Sequence, residues 1–140
     1  MSQPTLTLDR SIRAIRIIFA VLLFAAISYI LMAEVLFHHE PHDIHVMWVG
    51  ILVNALLVVG IAFFFRMKMV STAVETLRTK PDDLSALGRW RAGNIISCVL
   101  AESIVLLGFS LRFIGGTPLQ SLPFYFTGIA MMILWFPRRP

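Results

Sequence analysis

The chain has 140 residues, 58% of them hydrophobic and 14% charged, with a mean hydropathy of +0.82 and a formal net charge of +4. A soluble domain carries about a quarter charged residues and roughly 45–50% apolar ones, so this composition excludes a water-soluble globule. At this length residues 1–140 are expected to form one domain.

The surplus of positive charge does not form a nucleic-acid patch. Arg10, Arg13, Arg16, Arg66, Lys68, Arg78, Lys80, Arg89, Arg91, Arg138 and Arg139 flank apolar runs, which is how membrane proteins encode orientation. Cys98 is the single cysteine and lies inside an apolar run, which excludes intrachain disulfides and CxxC chemistry.

Four apolar runs follow one another. A spanning helix needs about 20 mostly apolar residues, and Ile17 to Phe37 meets that with Glu34 as its one charged residue. The three arginines before it resemble the start of a signal peptide. The run is longer than a signal h-region and lacks a convincing small-residue cleavage site, so it is expected to be retained. Val46 to Phe65 is the second span, Ile95 to Ile114 the third and Leu119 to Phe136 a shorter fourth. Backbone groups in hydrocarbon must be satisfied internally, and no alternating strand pattern is visible, so all four are expected to be helical. The fold class is therefore all-α, a polytopic membrane protein of four transmembrane helices.

Between the second and third spans, residues 66–91 form the longest polar connection. Val70, Ala73, Val74 and Leu77 recur there at helical spacing, which predicts an amphipathic extension of the second helix. Lys80-Pro81-Asp82-Asp83 should end it and start the next helix. Gly115-Gly116-Thr117-Pro118 is a short turn that makes the third and fourth helices antiparallel neighbours. All the Lys and Arg residues except Arg112 then fall on one side, which predicts an inner cell membrane protein with both termini cytoplasmic.

Glu102 is the most expensive residue in the chain. At 1.5 Å per residue from Arg91 it lies roughly 15 Å deep, near the middle of the hydrocarbon. An ionised carboxylate there costs about 2.5–3.5 kcal/mol, so the acid is expected to be neutral or partnered. Asn54 reaches a similar depth on the antiparallel second helix, and a Glu102–Asn54 hydrogen bond is expected. This pair is read either as a proton or cation site or as an interhelical pin. Glu34 and Arg112 both fall near the outer boundary and predict a structural ion pair between the first and third helices. Gly93, Ser97 and Ala101 recur every four residues, with Gly108 beyond them, and predict a close helix approach inside the monomer in preference to an oligomer seam.

Leu100-Ala101-Glu102-Ser103-Ile104, followed by Leu107-Gly108, resembles the second helix of the rotary ATPase proteolipid, the c-type ring subunit. The second helix, the loop from Arg78 to Asp83 and the third helix run in the directions of that family's hairpin. The resemblance implies that Glu102 binds a proton or sodium ion, with Asn54 where some members place a coordinating polar side chain. The chain departs from the family in its second span, where Gly50, Ala55, Gly60 and Ala62 stand among bulky residues instead of a glycine and alanine ladder. It also adds one span on each side. The Phe-Tyr pair and the Pro-Arg-Arg-Pro ending resemble those of small four-helix bacterial membrane proteins, and that resemblance implies no function.

His38, His39, His42 and His45 fall in one external stretch with Glu40 and Asp43. Imidazole and carboxylate suit zinc, nickel or copper(II), so a divalent transition metal is one expectation. Ordinary helix-end chemistry at Pro41 and Asp43, with histidines complementing a helix dipole, is the other. No phosphate-binding glycine loop, nucleophile elbow or HExxH is present, so catalysis is not expected. Trp48, Trp90 and Trp135 read as interfacial anchors. Three functions remain: a proton- or cation-handling protein, alone or as a homo-oligomer, built on Glu102 and Asn54; a non-transporting accessory or structural subunit of a larger membrane complex; and an external metal-binding sensor or chaperone.

Overall fold

The computed structural model describes residues 4–37, 44–80 and 83–137. Helix α1 spans Pro4–Leu36, α2 His45–Phe65, a π-helical turn Arg66–Ser71, α3 Thr72–Thr79, α4 Leu84–Phe113 and α5 Pro118–Leu134. Among the described residues there is no strand, as the all-α reading expects. Three helical stretches, Asp9–Leu36, His45–Thr79 and Leu84–Phe113, are long and apolar enough to cross a membrane, and Pro118–Leu134 is a shorter apolar helix. At 17 residues α5 is about 25 Å long, a little under the hydrocarbon thickness.

One boundary differs from the sequence expectation. Helix α1 begins at Pro4, well ahead of the apolar run at Ile17, whereas α4 begins at Leu84, where Asp82-Asp83 is expected to start it. Apolar runs mark where a helix meets lipid, whereas the helix itself stops where its backbone is capped or broken. Asp83 supplies that start for α4, its carboxylate accepting from the Ser85 and Ala86 N–H groups at 2.9 and 3.0 Å. Helix α5 starts with a capping box, in which the Gln120 N–H donates to Thr117 Oγ1 and the Thr117 N–H donates to Gln120 Oε1.

Helix α4 is the hub, packed by α1, α2, the π turn, α3 and α5. Helix α1 meets it along Phe19, Ala26 and Ala33, and α2 along Ala55 and Ala62. Both series are spaced by seven residues, the repeat that keeps a seam facing one partner, and alanine lets the backbones approach closely. Helix α5 comes nearer still. A Cβ on Gly128 would lie 2.5 Å from Val105 Cγ2 and 2.8 Å from the Ala101 carbonyl oxygen, and one on Gly108 would lie 2.7 Å from the Tyr125 ring. The expected antiparallel pairing of the last two helices is therefore locked by one glycine on each. Gly115 takes φ 97° in the connecting turn, a conformation glycine adopts without a Cβ clash.

The predicted amphipathic extension is helical, with a π-helical turn in place of a continuous α-helix. Val70, Ala73 and Leu77 pack with Ile12, Ile15, Ala86, Leu87 and Trp90 into a second apolar cluster at the end of the bundle.

Candidate functional site

Glu102 is 9% exposed, flanked on its own helix by buried Cys98 and Val105. It forms no hydrogen bond or ion pair among the described residues. The expected bond to Asn54 is not made, because Asn54 is exposed on α2. The seam that α2 turns toward α4 runs through Ala55 and Ala62, and Asn54 precedes Ala55 by one residue, about 100° round the helix. Equal depth placed the two residues level, but depth carries no information about rotation.

Asn54 has neighbours of another kind. Gly50, Asn54, Leu57, Ile61 and Phe64 follow one another at spacings of four, three, four and three residues, and every one is exposed. This is a second heptad-type seam on α2, turned away from its own bundle. A Cβ added at Gly50 would meet nothing within 4 Å. The sequence carried this signal in the same letters, but the inward seam on Ala55 and Ala62 has the same period, and periodicity does not say which of two seams is occupied.

The remaining residues divide plainly. Arg112 and Glu34 form the expected ion pair, Nε to Oε1 at 3.2 Å, with Arg112 buried. Arg112 also donates to the Gly116 carbonyl at 2.6 Å and the Phe37 carbonyl at 2.9 Å. One guanidinium thus ties the end of α1, the end of α4 and the turn into α5, a structural latch. Gly93, Ser97 and Ala101 are all buried inside the monomer. A Cβ at Gly93 would come within 2.8 Å of Val70 Cγ2, so this glycine seats the π turn, while the Ala101 carbonyl faces Gly128. Ser97 Oγ donates to the Gly93 carbonyl of its own helix at 2.7 Å.

His38, His39 and His42 lie outside the described residues. His45 is the first residue of α2 and exposed. Among the described residues no group of three or more His, Cys, Asp or Glu side chains gathers as a metal site would require.

One site was not anticipated. Arg66 continues the inward seam of α2, four residues beyond Ala62, at the first position of the π turn. Such insertions are frequent at functional sites. Its side chain lines a partly enclosed cavity of about 150 Å³ with Val70, Val74, Trp90, Asn94, Leu134 and Phe136. Its Cζ stands 5.1 Å from the Trp135 ring centroid. Among the described residues the buried Arg66 Nη1 has no hydrogen-bond partner. In the sequence Arg66 is one cation among eleven at the ends of apolar runs, and the π turn leaves no recognisable mark.

No known family, curated protein or solved structure significantly matches the chain.

Proposed function

We propose that the chain is a non-transporting structural subunit of a homo-oligomeric membrane assembly, docked copy to copy through the outer seam of α2. The observation that carries this is Asn54 standing exposed in the middle of Gly50, Leu57, Ile61 and Phe64. An amide facing hydrocarbon leaves its donors and acceptor unsatisfied, and polar side chains between membrane helices act as glue. Asparagine is both donor and acceptor, so it pairs with its own copy across a two-fold axis, and a single asparagine at a seam position fixes register and oligomer state. Gly50 leaves room on that face for a neighbouring backbone. This reading takes the chain as a four-span inner-membrane protein with both termini cytoplasmic, supported by the one-sided distribution of Lys and Arg.

The test is the mass of the detergent-extracted protein. Wild type should run as a closed multimer. Asn54→Leu should weaken association about 3- to 15-fold per helix pair, the range of single polar contacts between membrane helices, without loss of helicity. A monomeric wild type overturns the reading, and recovery bound only to different chains replaces the homo-oligomer with a mixed complex.

A second reading rests on Glu102, a buried carboxyl without an ionic partner among the described residues. As a proton-handling group, in the manner the proteolipid resemblance implies, it would make proton flux in vesicles disappear in Glu102→Gln. Equal flux in wild type and variant removes that reading.

A further inference from the structure

The Arg66 position differs from that of its neighbouring cation Lys68. Lys68, two residues on, is exposed, with its ammonium 5.3 Å from the Phe64 ring centroid, the ordinary disposition of a basic residue at the end of a span. Arg66 is instead half-buried on the inward seam, and among the described residues it has no carboxylate partner. A desolvated guanidinium without an anion is expensive, and apolar residues of similar size would fill this position at lower cost. The surroundings are those of a recognition site. Trp90, Phe136 and Val74 wall the cavity, Asn94 adds an amide, and Trp135 presents its ring to the cation.

The cavity, about 150 Å³ and open on one side, has room for one phosphoryl group with some hydration. A guanidinium presents its N–H groups as a fork that matches phosphate oxygens two at a time. The position along the chain agrees. Arg66 follows the last residue of the apolar α2 and precedes the amphipathic α3, the level at which a span meets headgroup phosphates.

We propose that the cavity formed by Arg66, Trp90, Asn94 and Phe136 binds a phosphate group, held by the Arg66 guanidinium, with the aromatic wall limiting its hydration. The phosphate comes either from the headgroup of an anionic phospholipid or from a soluble phosphate. This site is independent of how copies dock, since the outer seam of α2 and the Arg66 cavity lie on different faces of the helix.

The test uses the full chain in a neutral detergent, titrated separately with dihexanoyl-phosphatidylglycerol, inorganic phosphate and the phosphate-free dihexanoylglycerol. Trp90 and Trp135 flank the site, so their fluorescence reports occupancy, and the thermal midpoint reports linkage. Wild type should respond saturably to a phosphate-bearing probe and not to dihexanoylglycerol. Saturation by phosphatidylglycerol alone assigns the lipid headgroup as source, and saturation by inorganic phosphate as well assigns a free anion, either result supporting the site. Arg66→Met removes the charge yet suits the apolar wall, so it should fold with an equal or higher midpoint while its affinity falls at least tenfold. Arg78→Gln, an exposed cation on α3, should bind within twofold of wild type. The proposal is overturned if neither phosphate probe saturates, if Arg66→Met binds as wild type does, or if Arg78→Gln loses as much affinity.

Discussion

Helices α2 and α4 are both long and apolar, yet the bundle treats them in opposite ways. Helix α4 is packed from several sides, whereas α2 packs on α4, reaches α5 through Trp48 and Trp135 through Phe63, and leaves Leu56, Leu57, Ile61 and Phe64 exposed. The difference does not lie in how apolar they are, because lipid tails are as apolar as leucine and give a helix no reason to bury one. It lies in where the small residues stand. On α4, Gly93, Ser97 and Ala101 occupy successive turns and Gly108 stands two turns further on, so the π turn and α5 come to close range at different heights. On α2 they split between the inward Ala55 and Ala62 and the outward Gly50 and Gly60, where an added Cβ would find nothing within 4 Å among the described residues.

That contrast is broken most directly at its tightest point. Gly128→Val puts atoms where Val105 Cγ2 and the Ala101 carbonyl already stand, and since a carbonyl of the central helix cannot swing aside, the loss should be about 3 kcal/mol, the upper end of overpacking costs. A melt of the purified protein in detergent reads it, and an unchanged midpoint would mean that α5 does not approach α4 so closely. Next in size is Arg112→Met, which strips the latch from the Glu34 carboxylate and from the Phe37 and Gly116 carbonyls. Glu34 is partly exposed and can turn to the boundary, so a loss of about 2 kcal/mol is expected, with proteolysis rising first in the turn between α4 and α5. Smallest is Gly60→Ala on the outward face of α2. With nothing within 4 Å of the new methyl, the melt should stay level or gain up to about 1 kcal/mol from helix propensity, and a clear loss there would show that the outer face is already packed.

Much of the fold is legible in the letters because depth accumulates steadily along a helix. Counting residues from the basic boundaries brought Glu34 and Arg112 to one level, and the ion pair is there at 3.2 Å. The end of the extension at Lys80, the Asp83 cap and the tight turn at Gly115 and Gly116 were equally readable, since capping and backbone freedom are local properties of residue type. The same count placed Asn54 level with Glu102 and failed, because it measures height and not rotation. The Arg66 cavity had no local signature at all.

By itself, then, the sequence determined that this protein is helical and apolar enough to cross a membrane, where α3 ends and where α4 and α5 begin, and that Gly93, Ser97 and Ala101 would meet a close neighbour. Tertiary structure decided which way each helix faces: Asn54 outward, Glu102 inward, Arg66 into a cavity with Trp90 and Asn94. The physical reason is that either face of an apolar helix is equally at home in lipid. Rotation is therefore settled only when neighbouring helices compete for the few positions where backbones can touch.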